Sequence, residues 1–466
     1  MSELKEVFIS KTTGEIAKSL AQNSFLHTPA GYTAAEFANL RNSLLADLHK
    51  ITGVKPKTKI IMTGHQPDFL HPGILFKDIL TSKIAADINA TAMHLIVDTD
   101  QVGMDFITPV KNGNLVHLEH FQFHKREHNI YRYVKTNSDD LQKLQSIRER
   151  IDSLQSVLPA ARMQMAHALL DDMTIEAEKT EFIYQVAEKF RNKFTDNNLH
   201  LTDLHLSDLI RTECFQVFVE KIRERHSSFR NIFNNHLHNY RTEHKIKNGA
   251  QPVPDLKDNE MPFWIVDSQG NRQHMFTDSP NQDIIPRAVT LTMFLRIFLA
   301  DFFIHGTGGG RYEIIADKTL HDFFAITPGD YIVATATMNL NPETFGALDF
   351  PDKKTIHKME RDWEFSPQRL LARENPLAME KRLLIGDLAS AAKGEKKRIH
   401  DKIMALNLKM QTELAPFKQT LDSHKKNLSL YNQTREVFSA RNLPFIFYNI
   451  QELQDFVKKM NFFPTN

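Results

Sequence analysis

Two hydrophobic rhythms alternate along the chain. In TAAEFANLRNSLLADLHKI the apolar residues recur every three to four positions, the period of an amphipathic helix, and residues 1–57 read as mostly helical. The run Lys59–Thr63, KIIMT, is short, apolar and β-like. The loop GHQPDFLHPG follows it, and then the helical pattern ILFKDILTSKIAADIN, with Pro72 and Gly73 at the loop-to-helix junction. Ala92–Val97, AMHLIV, is a second apolar run and ends in Asp98, Thr99 and Asp100. Strand, loop, helix and strand in this order make a βαβ unit and imply a parallel sheet.

Beyond this unit, residues 103–136 read as a hairpin turning at Gly113. The segment from Asp139 to Asn192 contains no glycine and has helical spacing, as does Leu206–Tyr240. FWIVD and the later GNRQHMF read as a second hairpin. The longest apolar stretch, Ala288–Ile304, reads as one buried helix opening after Pro286 and running into His305 and a glycine-rich loop. Tyr331–Ala336, YIVATA, reads as a strand. From Ser366 to Ser439 the pattern is helical, broken near Pro376 and Pro416, and the tail reads as a strand, LPFIFYNI, followed by a helix. The expected fold is α/β, a Rossmann-like parallel sheet with a helical insertion and a helical, coiled-coil-like C-terminal region. The expected parts are 1–136, 137–245 (the insertion), 246–365 (with the glycine loop) and 366–466.

Charge narrows the function. With 58 Lys and Arg against 57 Asp and Glu, the chain lacks the broad positive field that holds proteins on nucleic acid or anionic lipid. No nucleic-acid or membrane partner is expected. Arg296 and Asp301 interrupt the longest apolar stretch, which is too short to span a bilayer, and the N-terminal residues lack a signal-peptide core, so the expected location is the cytoplasm. A single cysteine, Cys214, excludes an internal disulfide and a thiolate metal cluster. Its apolar surroundings, CFQVFV, suit a buried filler, with a catalytic thiol as the other reading. Phe (33) far outnumbers Tyr (9) and Trp (2), so the aromatics look like packing rather than a base-stacking platform.

Three constellations carry candidate chemistry. The first is Thr63, Gly64, His65, Gln66 and His71, with Lys77 one turn into the following helix. A strand-to-helix loop presents free N–H groups at the positive end of the helix, so this is an anion site or, failing that, an ordinary βα loop. The second is Asp98 and Asp100, placed by the βαβ reading at a strand's carboxyl end, where they hold a ribose or an amine or merely cap a turn. The third is His305–Tyr312, in which four of the chain's 17 glycines crowd into Gly306–Gly310. Gly308, Gly309, Gly310 and Arg311 fit an anionic ligand, with unusual backbone angles as one reason for the glycines. Because it follows an apolar helix on this reading, the loop is not the strand-first dinucleotide fingerprint. His117, His120, His124 and His128 sit in a strand-like stretch without HExxH, and no metal site is assigned.

TGHQPDFLHPG before an amphipathic helix resembles the opening of the bacillithiol-synthesis cysteine-adding enzymes, and HQPDFLHPGILFKDI also resembles the start of WbqC-like proteins. The later order agrees with the first family: a helical insertion, FWIVD, FIHGTGGGRYEIIAD at the place of its glycine loop, and a long helical part ending in LPFIFYN. At the presumed site the chain departs from that pattern, with His65 where the ligases usually have Gln and Arg311 where they have an acidic residue. The resemblance implies a nucleotidyltransferase-like core, a nucleotide as cofactor and a ligase-like or nucleotidyl-transfer reaction on a small molecule. His65, His71 and Lys77 would then act on phosphate charge, Asp98 and Asp100 would hold a ribose or amine, and Arg311 with its loop would clamp an acidic second substrate. The other readings are a non-catalytic binding or scaffolding protein, a metal-dependent hydrolase using the histidines and DTD, and a homodimer formed through the C-terminal helices.

Overall fold

A computed structural model describes residues 3–22, 27–112, 115–123, 129–156, 158–280, 283–340 and 351–462. Eleven strands among these residues form three sheets. They are β1 (Leu4–Ile9), β2 (Ile60–His65), β3 (Thr91–Ile96), β4 (Asp105–Asn112), β5 (Leu115–Gln122), β6 (Thr202–His205), β7 (Glu260–Val266), β8 (Arg272–Phe276), β9 (Ile284–Pro286), β10 (Phe302–His305) and β11 (Asp330–Met338). The central sheet runs β1-β11-β10-β2-β3-β6. Its five strands from β11 to β6 are parallel, and β1 joins the edge antiparallel to β11. Helices make up most of the rest, so the chain is a mixed α/β protein. No helix among the described residues is long and apolar enough to cross a membrane.

The chain divides into two compact units. The first comprises Met1–Val110, Leu118–Asn341 and Ser439–Asn466, and the second Lys111–His117 and Pro342–Phe438. The helices of the expected insertion lie in the first unit, which holds the central sheet. The second is built from the helices Lys353–Phe365, Pro376–Ser390, Lys393–Glu413 and most of Ala415–Ser439. The middle two pack together around Ala378, Leu406 and Met410.

Local sequence explains the elements that carry the site. Thr33 and Glu36 close a capping box at the start of the helix Ala34–Thr52, and Gly53 ends it in the left-handed region at φ 71°. The helix Pro72–Asp87 has proline in its first turn, and His71 caps it by accepting from the Gly73 amide. Beneath the sheet, Phe215, Phe218, Phe263, Phe294 and Phe298 are fully buried in one core, and Phe215 meets Phe294 edge-on at 5.3 Å. The surplus of phenylalanine is a packing surplus. Cys214, buried in the same core, is the filler residue, and burial pushes its thiol well up from the ordinary value.

Several elements depart from the sequence reading. The apolar stretch is not one helix: Ala288–Phe298 is helical, and the chain then turns and enters β10. Both a buried helix and a buried parallel strand are apolar on every side, so composition does not separate them. The tail LPFIFYNI forms the 3₁₀ turn Phe445–Phe447 rather than a strand, and β1 and β6 interrupt segments without a recognised strand pattern. The turn at Gly113 and the histidines His124 and His128 lie outside the described residues.

Candidate functional site

Parallel strands deliver their following loops to one edge of a sheet. In β2, β3 and β10 that edge holds Gly64 and His65, the approach to Asp100, and His305. With the β7–β8 hairpin and the start of the helix Ala288–Phe298 they enclose a cleft of about 680 Å³ within the first unit. Gly64, His65, Gln66, His71, Lys77, Asp100, Gly308, Gly309 and Arg311 all line it. Thr63, Asp98 and Gly310 do not. Thr63 is buried, and its hydroxyl donates to the Ile304 carbonyl at 2.9 Å, which ties β2 to β10. Asp98 turns away and accepts from the Ser207 amide at 2.9 Å, and burial raises its carboxyl above the ordinary value. Gly310 packs on β11, where a Cβ would stand 2.3 Å from Val333 Cγ2.

Lys77 is buried, and its Nζ donates to the Gly64 carbonyl at 2.8 Å. Burial lowers its pKa to about 8, opposed by the neighbouring Asp78. His65 Nδ1 lies 3.0 Å from the Gln66 carbonyl, which only accepts, so Nδ1 carries the proton and Nε2 holds a lone pair. His71 Nδ1 accepts from the Gly73 amide at 3.1 Å, so its proton sits on Nε2. Burial, reinforced by Lys77, lowers His65 to about 3 and His71 to about 4. Both rings are therefore neutral near pH 7. His71 remains a donor to an anion, whereas His65 offers an acceptor where the sequence reading expects a donor.

The glycine loop is entered from a strand, so strand, GTGGG and the helix Gly310–Phe324 follow one another, against the sequence reading. None of its glycines has a positive φ. The need for glycine is close approach instead, since a Cβ on Gly309 would stand 2.7 Å from His305 Nδ1. The Thr307, Gly308 and Gly309 amides donate to no described residue, and no side chain caps the helix that follows. The Arg311 side chain is exposed and has no partner among the described residues. The helix Ala288–Phe298 likewise starts at the cleft without a side-chain cap.

Sequence reasoning missed the opposite wall. Trp264 of β7 has the Arg287 guanidinium 4.1 Å from its ring centre and the Arg272 guanidinium at 5.3 Å. Arg287 donates to Glu260 at 2.5 Å. Arg272 donates to Asp100 at 2.7 Å, and Gln66 Nε2 donates to the other carboxylate oxygen at 2.7 Å. The signal was FWIVD, legible as a strand but not as a wall. Charged groups lining the cleft are Lys77, Arg272, Arg287 and Arg311 against Asp100. Carboxylates neutralise Arg272 and Arg287, and no carboxylate among the described residues pairs with Lys77 or Arg311.

Of the histidine-rich stretch, His120 of β5 faces Asp105 of β4 at 2.9 Å. No group of three or more potential metal ligands occurs among the described residues. No protein-family model and no curated protein sequence matches the chain.

Proposed function

We propose that the cleft binds a nucleotide or another phosphorylated small molecule, and that the chain is an enzyme of the nucleotidyl-transfer or ligase-like type built on a Rossmann-like sheet. The observation that carries this reading is the pairing of two cations without a salt bridge to any described carboxylate, Lys77 and Arg311, with the free amides of Thr307–Gly309 at an uncapped helix start. Phosphate oxygens satisfy amides and cations together.

In this reading the loop amides and Arg311 hold the phosphates. Lys77, fixed on the Gly64 carbonyl, stabilises charge that develops on the phosphoryl oxygens, and the Nε2–H of His71 adds a neutral donor. The Trp264 wall takes the rest of the molecule. Asp100, held by Gln66 and Arg272, is the carboxylate at hand for a ribose hydroxyl or an amine. Asp98 has no such role, because it is committed to Ser207. The resemblance of the opening motif and glycine loop to the cysteine-adding enzymes favours a ligase-like outcome over simple hydrolysis.

The test is a melting-temperature screen of the full chain against nucleoside mono-, di- and triphosphates and sugar phosphates. A true ligand at a hundred times its Kd adds about 2.7 kcal/mol of stability. A screen in which no phosphorylated compound shifts the transition contradicts the proposal and favours a scaffolding role.

A further inference from the structure

Deep in the cleft, His305 closes β10 with a side chain almost wholly inside the protein, 7% exposed. Its ring is stacked on Phe303 at 4.3 Å and meets Tyr331 edge-on at 5.7 Å, so packing fixes the plane. Nε2 lies 2.8 Å from Oε1 of Glu313, in the first turn of the helix Gly310–Phe324. The contact is close but bent away from a linear hydrogen bond, and neither atom has another partner. Glu313 is fully buried, and its other oxygen accepts from Arg296 at 2.6 Å. Arg296 is anchored in turn by donating to the Gly329 carbonyl at 2.8 Å. Burial opposes ionisation of Glu313, but the Arg296 guanidinium on its other oxygen keeps it a carboxylate. In the neutral ring a carboxylate facing Nε2 favours the tautomer with the proton on Nε2 and the lone pair on Nδ1. Nδ1 has no hydrogen-bond partner among the described residues and opens beside the glycine loop, where the absence of a Cβ on Gly309 leaves it uncovered.

The geometry points to His305 as the general base of the cleft, with Nδ1 as the working atom, Glu313 as the residue that positions it and Arg296 as the anchor of Glu313. A base within reach of the bound reactants and oriented by a buried carboxylate is the recurring arrangement for proton abstraction from a nucleophile. The inference rests on the nucleotidyl-transfer reading given above. There an acceptor O–H or N–H attacks the α-phosphorus of a nucleoside triphosphate. The bond from acceptor to phosphorus forms and the bond from phosphorus to the bridging oxygen breaks. Pyrophosphate leaves with that electron pair, and the acceptor's proton passes to Nδ1. The resulting imidazolium lies against the Glu313 carboxylate, which compensates its charge.

Two measurements on the full chain test this. Long-range proton–nitrogen spectra of histidine-labelled protein, with His305→Gln to assign the signal, report the tautomer. The expected state is Nε2–H with a bare Nδ1, and Glu313→Gln should convert it to a mixture. Diethyl pyrocarbonate, mapped by mass spectrometry, should carbethoxylate His305 in the wild type. Gly309→Ala, which leaves the Arg296–Glu313 pair untouched, should abolish that reactivity while the melting transition persists. A His305 that carries its proton on Nδ1, or that reacts equally in the wild type and Gly309→Ala, overturns the inference. Protection of His305 by ATP supports both readings together. Indifference to ATP, alongside the expected tautomer and reactivity, overturns the nucleotide reading while upholding His305 as a positioned base.

Discussion

Lys77 reaches back across the first loop and donates to the Gly64 carbonyl at 2.8 Å, so a helix side chain braces the strand end from which the cleft opens. The ammonium is buried and makes no salt bridge with a described carboxylate, an arrangement that suits a bound anion. Lys77→Met removes the charge and keeps the stem. A hydrogen bond to a charged group is worth about 1.5–3 kcal/mol, so affinity for a phosphorylated ligand should fall by roughly 10- to 150-fold. Because the Lys77 pKa is lowered to about 8, wild-type affinity should also decline as pH rises through that value. Titration calorimetry between pH 7 and 9 checks both, and a flat wild-type profile would contradict the role.

Buried neutral histidines make the fold sensitive to acid. His65 and His71 fall from 6.5 to about 3 and about 4, so the unfolded chain takes up protons that the folded chain refuses. Stability is then full above pH 6.5 and is lost as pH falls towards those values, by up to about 1.4 kcal/mol per pH unit for each ring. Denaturant unfolding of wild type and His65→Gln from pH 7 to 4.5 should show a shallower acid loss in the variant. Parallel curves would mean that His65 is not held neutral.

Arg296 and Glu313 are a buried ion pair, 2% and 0% exposed. Arg296 keeps a second carboxylate, Asp317 at 2.7 Å, so Glu313→Ala should cost less than the roughly 3–5 kcal/mol of stranding a fully buried charge, and a double change of Arg296 and Glu313 to apolar residues of similar volume should cost less still. Chemical denaturation of the single and double variants reads the difference. Equal losses would remove the pair from the list of determinants.

The glycine loop separates fit from binding. Gly310→Val drives a side chain into Val333, an overpacking cost of about 1–3 kcal/mol or more. Arg311→Ala removes an exposed, unpartnered side chain and should leave the melting temperature nearly unchanged. Comparable destabilisation by both would make Arg311 a structural residue.

The βαβ logic, applied to KIIMT and AMHLIV, was enough to bring Gly64–Gly73 and Asp100 to one cleft, because parallel strands leave little choice of edge. Asp98 escaped it, since two carboxylates flanking Thr99 give no hint that one of them turns inward to Ser207. Strand β10 was hidden because four buried residues after a buried helix have no polar face to betray them. The Trp264–Arg287 contact joins residues on separate elements, and only the folded chain shows that an arginine ahead of an apolar helix lies over a tryptophan of a hairpin. The glycines of the loop were recognisable as unusual, but the reason for them, close approach of His305 and Val333, is a tertiary fact.

The most direct measurement is calorimetric titration of wild type and Arg311→Ala with the phosphorylated compound that gives the largest shift in the melting screen. The expected result is saturable one-to-one binding by the wild type and an affinity about tenfold or more lower in the variant, at equal melting temperature. Binding of equal strength in both proteins, or none in the wild type, would contradict an anion site formed by the glycine loop and Arg311.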